Sequence, residues 1–185
     1  MREVRQMYEG MGLNPLIIAD EAFWYTPDVT RIRAYDGITA RLVEQAGFPA
    51  VYMTGAGTAA TIGFPDYGLV TMSEMAENAE RITRAVKVPV IAVGKLGDPV
   101  TANRVLEEGK ADFIAIGRPL LADAYLPKKA QEGRFEEIMR CIYCNNGCTE
   151  NRLDGRNRCA VNPLHGQESV YRFQPTTRRK KVVVV

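Results

Sequence analysis

The four cysteines of this 185-residue chain are gathered in one stretch, Cys141-Ile-Tyr-Cys144-Asn-Asn-Gly-Cys148, followed after ten intervening residues by Cys159. With no distant cysteine left to pair with, the economical reading is a single four-thiolate site. Thiolates are soft ligands suited to an iron-sulfur cluster or to zinc, and three within eight residues can wrap one side of a compact centre while the fourth closes it. Gly147, Asn145 and Asn146 allow the tight turns that such wrapping demands. Four-cysteine zinc sites usually carry two C-x2-C knuckles, whereas Cys148 and Cys159 each stand alone, so the spacing favours iron-sulfur over zinc. Structural disulfides are the weaker alternative. No signal-peptide pattern opens the chain and no long apolar run spans a membrane, so a reducing cytoplasm is the expected compartment.

Composition sets broad bounds. Hydrophobic residues at 46% and charged residues at 25% suit a soluble globular protein, long enough for one core with an appendage. A net charge of +2 argues against a dedicated nucleic-acid binder despite the run Arg178-Arg179-Lys180-Lys181, leaving a small-molecule substrate as the expected partner. His165 is the single histidine, placed by Asn162-Pro163 and Gly166 in a turn, and reads as a solvated loop residue.

The elements that must position the cysteines follow a rhythm of strand and helix. Residues 1–13 read as a polar lead-in, Pro15 to Ala19 as the first strand, and Asp20 to Arg33 as loop. Ile38 to Gly47 has helical spacing with a glycine stop. Ala50 to Thr54 is a buried strand entering the flexible loop Gly55-Ala-Gly57, and Ser73 is expected to cap a helix from about Glu74 to Val86. Lys87 to Val93 is the next strand, ending at Gly94. Asp98-Pro99 starts a helix that stops at Gly109. Ala111 to Ile116 is a strand, Gly117-Arg118 its loop, and Pro119 to Ala124 a short helix; a further helical segment, Phe135 to Arg140, delivers the chain to the cysteines. Repeating βα units imply a parallel sheet, whose ligands bind at the C-terminal strand ends, where Gly55, Gly57, Gly94, Gly117 and Arg118 fall.

From Val90 onward the sequence resembles the iron-sulfur flavoenzymes of the old yellow enzyme class, the 2,4-dienoyl-CoA reductase and NADH:flavin oxidoreductase family. The residues that carry this are Val-Pro-Val-Ile-Ala-Val-Gly94, the stretch Glu108 to Asp123 reading Glu-Gly-Lys-Ala-Asp-Phe-Ile-Ala-Ile-Gly-Arg-Pro-Leu-Leu-Ala-Asp, the Cys-x2-Cys-Asn-x2-Cys run and Cys159-x2-Asn-Pro. The resemblance implies that these are the seventh and eighth strands of a TIM barrel and that their loops hold the phosphate of FMN. Gly94, Gly117 and the guanidinium of Arg118 would form that phosphate site, and Cys141, Cys144, Cys148 and Cys159 would hold a 4Fe-4S cluster. NAD(P)H would be the electron donor, and any FAD would belong to a dinucleotide-binding domain of which Lys180 to Val185 resembles only the first strand. Backbone N–H groups at a helix start plus an Arg fork independently suit a phosphate.

Residues from about 35 to 92 resemble a different group, the isocitrate lyase and phosphoenolpyruvate mutase superfamily. The carriers are Tyr35-Asp-Gly-Ile-Thr-Ala-Arg-Leu, Gly47 to Gly57, Phe64-Pro-Asp-Tyr-Gly-Leu and Thr71-Met-Ser-Glu-Met. This implies that Tyr52, Thr54, Gly55 and Gly57 would touch a small carboxylate substrate and that Asp66 would lie near magnesium. The acidic metal loop of that family is replaced by Val93-Gly-Lys-Leu-Gly-Asp98, and its cysteine-bearing catalytic loop is absent. Both families share Val-Pro-Val-Ile-Ala, so the chain reads as a splice made at that strand.

The expected architecture is therefore α/β: a partial TIM barrel of about four βα units over residues 1–134, an iron-sulfur segment over 135–175, and the start of a truncated dinucleotide-binding domain over 176–185. The expected function is that of an FMN- and 4Fe-4S-dependent oxidoreductase, with no catalytic residue assigned. A lyase acting on a small 2-oxo or hydroxy acid and a non-catalytic metal-binding fragment are the alternatives. Four units cannot close a barrel, so a homodimer that completes it is expected.

Overall fold

The computed structural model describes residues 16–18, 33–149, 157–167, 170, 171, 181 and 183. The expected polar lead-in, the basic run before Lys181 and the terminal valines other than Val183 lie outside these residues, as does the expected loop up to residue 32.

Among the described residues, five parallel strands form one sheet: β1 (Leu16–Ile18), β2 (Arg33–Ala34), β3 (Val51–Met53), β4 (Val90–Val93) and β5 (Phe113–Ile116). Their order is β1-β5-β4-β3-β2, so the first strand lies beside the last, as it would in a closing barrel, while β1 and β2 remain the edges. Ile91 pairs with Tyr52 on one side and Phe113 on the other. Tyr52, Met53, Val90, Ile91, Ile114 and Ile116 are at most 2% exposed, and burying a side chain of this size contributes about 1.5–3 kcal/mol each. Such uniformly apolar strands are what a parallel sheet covered on both faces requires.

Among the described residues, four helices return the chain between strands: α1 (Gly37–Gln45), α2 (Gly55–Thr61), α3 (Met72–Ala85) and α4 (Pro99–Glu107). They are followed by α5 (Arg118–Ala122), α6 (Leu126–Gln131) and a 3-10 turn at Phe135–Glu137. Capping fixes where each return begins. Asp36 and Thr39 form a reciprocal capping box at α1, with Thr39 N donating to Asp36 Oδ1 at 2.7 Å. Asp98 accepts from Thr101 N at 3.0 Å at the start of α4, with Pro99 in the first turn as expected. No helix among the described residues is long and apolar enough to cross a membrane.

The structure corrects several expectations. Arg33, placed in a loop by sequence, opens the two-residue strand β2, which is held by pairing to β3 and is too short to show alternation. Gly55-Ala-Gly57 is the first turn of α2 and not a flexible loop, because the Thr54 hydroxyl accepts from Gly57 N and caps the helix. The cap of α3 is Thr71, not Ser73: Thr71 is three residues before Glu74, whose carboxylate accepts from Thr71 N at 2.7 Å. Phe135 to Arg140 is a single 3-10 turn followed by extended backbone, since Ile138 is drawn into the core at 8% exposure. His165 sits in the expected turn but is half-buried, its N–H donating to Asn162 O at 3.2 Å.

Candidate functional site

The C-terminal ends of β3, β4 and β5 open into a cavity of about 720 Å3, within the usual range for a small-molecule site. Its floor is the loops that leave these strands: Thr54 and Gly55 after β3, Gly94, Lys95 and Gly97 after β4, Gly117 and Arg118 after β5. Gly94 has φ +111, and a Cβ there would stand 2.8 Å from Met75 Cγ and closer still to its methyl, so β4 can leave the sheet at this angle only through a glycine. Gly117 has φ −107 and ψ −92, outside the helix and strand regions, and open space beside it, which lets a ligand approach its amide. The three expected phosphate residues thus line one cavity. Arg33 and Lys95 add positive charge to its wall, and Asp66 is the carboxylate among the residues that line it. Lys95 is held with φ +57, a conformation that a side chain adopts only under constraint, and its ammonium helps keep the Glu74 carboxyl below the usual range, after the hydrogen bonds from Thr71.

Of the residues implied by the lyase resemblance, Thr54, Gly55 and Asp66 reach this cavity; Tyr52 and Gly57 are not among those that line it. Tyr52 is 1% exposed beneath the strand ends, and burial pushes its hydroxyl up to about 12, with the Arg33 guanidinium opposing the shift. Gly57 is packed behind Thr54 and Tyr35.

A second, much smaller cavity adjoins the first, and all four cysteines line it. The segment from Cys141 to Cys148 has no regular secondary structure of its own until a turn at its end; side chains from elsewhere hold it. Asn145 accepts from the Arg118 guanidinium and donates to Tyr67 O at 2.9 Å. The same guanidinium stands 5.3 Å above the Tyr143 ring, a cation–π arrangement. Arg140 pairs with Asp98 at 3.0 Å, and Asn162 donates to Leu121 O at 2.9 Å, which docks the Cys159 arm on α5. Arg158 N donates to Gly147 O at 3.2 Å and ties the two cysteine arms together.

Tyr143, Asn145 and Gly147 have φ of +53, +60 and +83, left-handed positions at alternate residues. Left-handed residues alternating with others are the backbone pattern that forms N–H nests around anions and iron-sulfur clusters. Tyr143 N already donates to Cys141 Sγ at 3.4 Å. Burial raises the Cys141 pKa, while that bond and Arg118 pull it down and the neighbouring Cys159 and Cys148 push it up. Among the described residues, no three side chains of the His, Cys, Asp or Glu type converge as one metal ion would need. Four thiolates lining one cavity beside left-handed backbone are a soft donor set of the kind that holds an iron-sulfur cluster or a zinc ion.

Sequence reasoning missed Lys95 and Tyr143. Lys95 lies in a loop noted for its glycines and for lacking the acidic metal ligands, and Tyr143 meets Arg118 from a distant segment. Asn145 stood out only as a turn residue.

The family described as phosphoenolpyruvate phosphomutase matches residues 28–105. An NADH oxidase of Thermoanaerobacter brockii is 49% identical over 110 residues, 58% of this chain and 17% of that protein. A 2,3-dimethylmalate lyase of Eubacterium barkeri is 41% identical over 109 residues, 57% of this chain and 37% of that protein. Since each stretch takes more than half of the chain, the two overlap. In three dimensions, 2-naphthoyl-CoA reductase in complex with 2-naphthoyl-CoA aligns with TM-score 0.66 and 28% identity over 78% of this chain and 23% of that one. The chain spans about a fifth of the length of the redox relatives it matches. It is an arc of an α/β barrel, whose C-terminal half resembles the iron-sulfur NADH:flavin oxidoreductases and whose earlier strands resemble the isocitrate lyase and phosphoenolpyruvate mutase superfamily.

Proposed function

We propose that this chain forms the cofactor-carrying part of an FMN- and 4Fe-4S-dependent, NAD(P)H-linked oxidoreductase. The observation that carries the reading is adjacency: Arg118, Leu121, Tyr143, Asn145 and Cys148 line both the strand-end cavity and the cysteine cavity. A flavin accepts a hydride and a cluster accepts single electrons, so two sites that share a wall are what a flavin-to-cluster relay needs. In this reading the amides at Gly94 and Gly117 bind the phosphate, Lys95 and Arg118 balance its charge, and Arg118 also fixes the cysteine loop through Asn145. Cys141, Cys144, Cys148 and Cys159 bind the cluster, and the N–H groups around Tyr143 and Asn145 neutralise part of its charge.

The lyase reading is the less favoured one. A magnesium site needs one or two carboxylates with room for water, and Asp66 is the one carboxylate among residues lining a cavity that also holds Arg33, Lys95 and Arg118. Three cations repel Mg2+ and attract an anion.

The test is anaerobic purification followed by iron and flavin analysis and a visible spectrum. About four irons per chain with a broad absorption shoulder, and flavin bands after FMN is added, are expected. Zinc without iron would overturn the cluster assignment. Neither flavin nor iron would leave a non-catalytic fragment. We also propose that the edges of β1 and β2 are covered in solution by a second copy that completes the barrel. Light scattering at low micromolar concentration should give a dimer; a monodisperse folded monomer would refute this.

A further inference from the structure

The Asp123 side chain is 5% exposed, directly after α5, and lies outside both cavities. A carboxylate buried this deeply is costly unless its oxygens are satisfied, so its partners identify what it was placed to hold. Oδ1 accepts from Tyr125 N at 3.0 Å and turns the chain into α6. Oδ2 accepts from Lys129 Nζ at 2.6 Å and from Met139 N at 3.0 Å. Lys129 in turn donates to Glu137 O at 2.8 Å. One ion pair therefore grips the main chain at two points, residues 137 and 139, immediately before Cys141.

Nothing else regular governs this approach. The 3-10 turn ends at Glu137 and the backbone runs extended from Ile138. Ile138 inserts into the core between the two gripped residues, which fixes the direction of the strand as well as its position. Downstream, exposed Arg140 reaches half-buried Asp98, a single ion pair near the surface that is worth little by itself. The Asp123–Lys129 clamp thus fixes the main chain two residues before the Cys141 sulfur enters the cavity.

We propose that Asp123, charge-paired with Lys129, is the positioning residue for Cys141 and so governs how firmly the cysteine site keeps its metal. The proposal rests on the cluster reading above. Groups that orient a metal ligand from behind typically change metal retention by 10- to 100-fold when lost. Asp123→Asn keeps the shape and Oδ1 but removes the charge that holds both Lys129 and Met139. Lys129→Met removes the other half and releases Glu137.

The experiment compares the anaerobically loaded parent with Asp123→Asn, Lys129→Met and a control, Asp112→Asn. Asp112 accepts from Val90 N at 2.8 Å and staples β4 away from the cysteines. Iron transfer to a chelator, the redox potential of the bound iron and thermal unfolding of the sheet are measured together. Asp123→Asn and Lys129→Met should release iron about tenfold faster and shift the potential, whereas Asp112→Asn should lower only the melting temperature. Equal release rates in Asp123→Asn and Asp112→Asn would overturn the proposal. In parallel, the metal-free proteins are alkylated and each cysteine is mapped by mass spectrometry. Asp123→Asn should raise the rate at Cys141 severalfold and leave Cys159 unchanged, and an unchanged Cys141 rate would also overturn it. If the parent binds no iron, the cluster reading fails while the alkylation result still decides whether Asp123 positions Cys141.

Discussion

The two cavities share a wall but are built by different means. The strand-end cavity hangs from β3, β4 and β5, whose core side chains are almost entirely enclosed, so its loops leave fixed points at fixed angles. The cysteine cavity is lined by irregular backbone held from elsewhere in the chain, by the side chains of Arg118, Asp98 and Asp123 and the main-chain carbonyl of Tyr67. A site of the first kind exists before its ligand arrives. One of the second kind, built on irregular backbone, would draw on a bound ligand for order, because metal-binding free energy in such segments is also folding free energy.

The largest expected effect separates the two outright. Replacing any one of Cys141, Cys144, Cys148 or Cys159 by Ser should reduce bound iron from about four per chain to nearly none. Hydrogen exchange of residues 141–149 should then accelerate toward that of an open loop while the amides of β3 to β5 stay protected. Equal loss of protection in the sheet would show that the cysteine segment and the barrel arc fold as one unit, and the comparison would fail.

Two glycines give the next test. Gly94→Ala forces a side chain into Met75 at φ +111 and should destabilise the sheet by about 2–4 kcal/mol, read as a lower melting temperature. Gly147→Ala meets Arg158 O at 3.0 Å with φ +83, at a cost of about 1–3 kcal/mol confined to the junction of the cysteine arms. It should accelerate iron loss and leave the melting of the metal-free sheet unchanged.

The same division explains what could be read from the sequence. Val88 to Val93 and Phe113 to Ile116 announce buried strands by composition, and Asp98-Pro99 announces a helix start, because each signal lies within a few residues of what it specifies. Arg33–Ala34 carries no such signal, since its strand character comes from pairing with Tyr52 and Met53. Gly55-Ala-Gly57 suggests a loop by propensity, yet the Thr54 cap and packing against Met75 and Tyr35 make it helical. Thr71 outcompetes Ser73 because only Thr71 has an acidic residue three positions on, a signal that was available. That the four cysteines gather at one place was legible from spacing, and they do line one cavity. Their scaffold was not, for Asn145 meets Tyr67 across 78 positions and Asp123 meets Met139 across 16.

A smaller effect probes the rigid half alone. The Tyr52 hydroxyl titrates near 12, raised by burial from an ordinary value of 10.0. The raised folded-state value means that its stabilising contribution is complete below pH 10, where both states are protonated. It is lost as the pH rises from about 10 to 12, because the unfolded chain ionises first. The parent should lose about 2–3 kcal/mol across that window, and Tyr52→Phe should lose correspondingly less. Identical pH profiles in urea unfolding would place Tyr52 in contact with water.

The mildest change reaches both halves at once. The Arg118 guanidinium bonds Asn145, stacks on Tyr143 and lines the strand-end cavity, so Arg118→Ala removes a cavity cation and a support of the cysteine loop together. A charge-assisted contact to phosphate is worth about 1.5–3 kcal/mol, so FMN should bind roughly ten- to a hundredfold more weakly by fluorescence titration. Arg118→Lys restores the charge but neither the planar fork nor the stacking on Tyr143. It should therefore recover most of the FMN affinity while leaving iron loss as fast as in Arg118→Ala. Recovery of both by Lys would mean that charge alone joins the two sites. Recovery of neither would mean that the fork geometry serves the phosphate and the cysteine loop alike, and the two cavities would then be one site and not two neighbours.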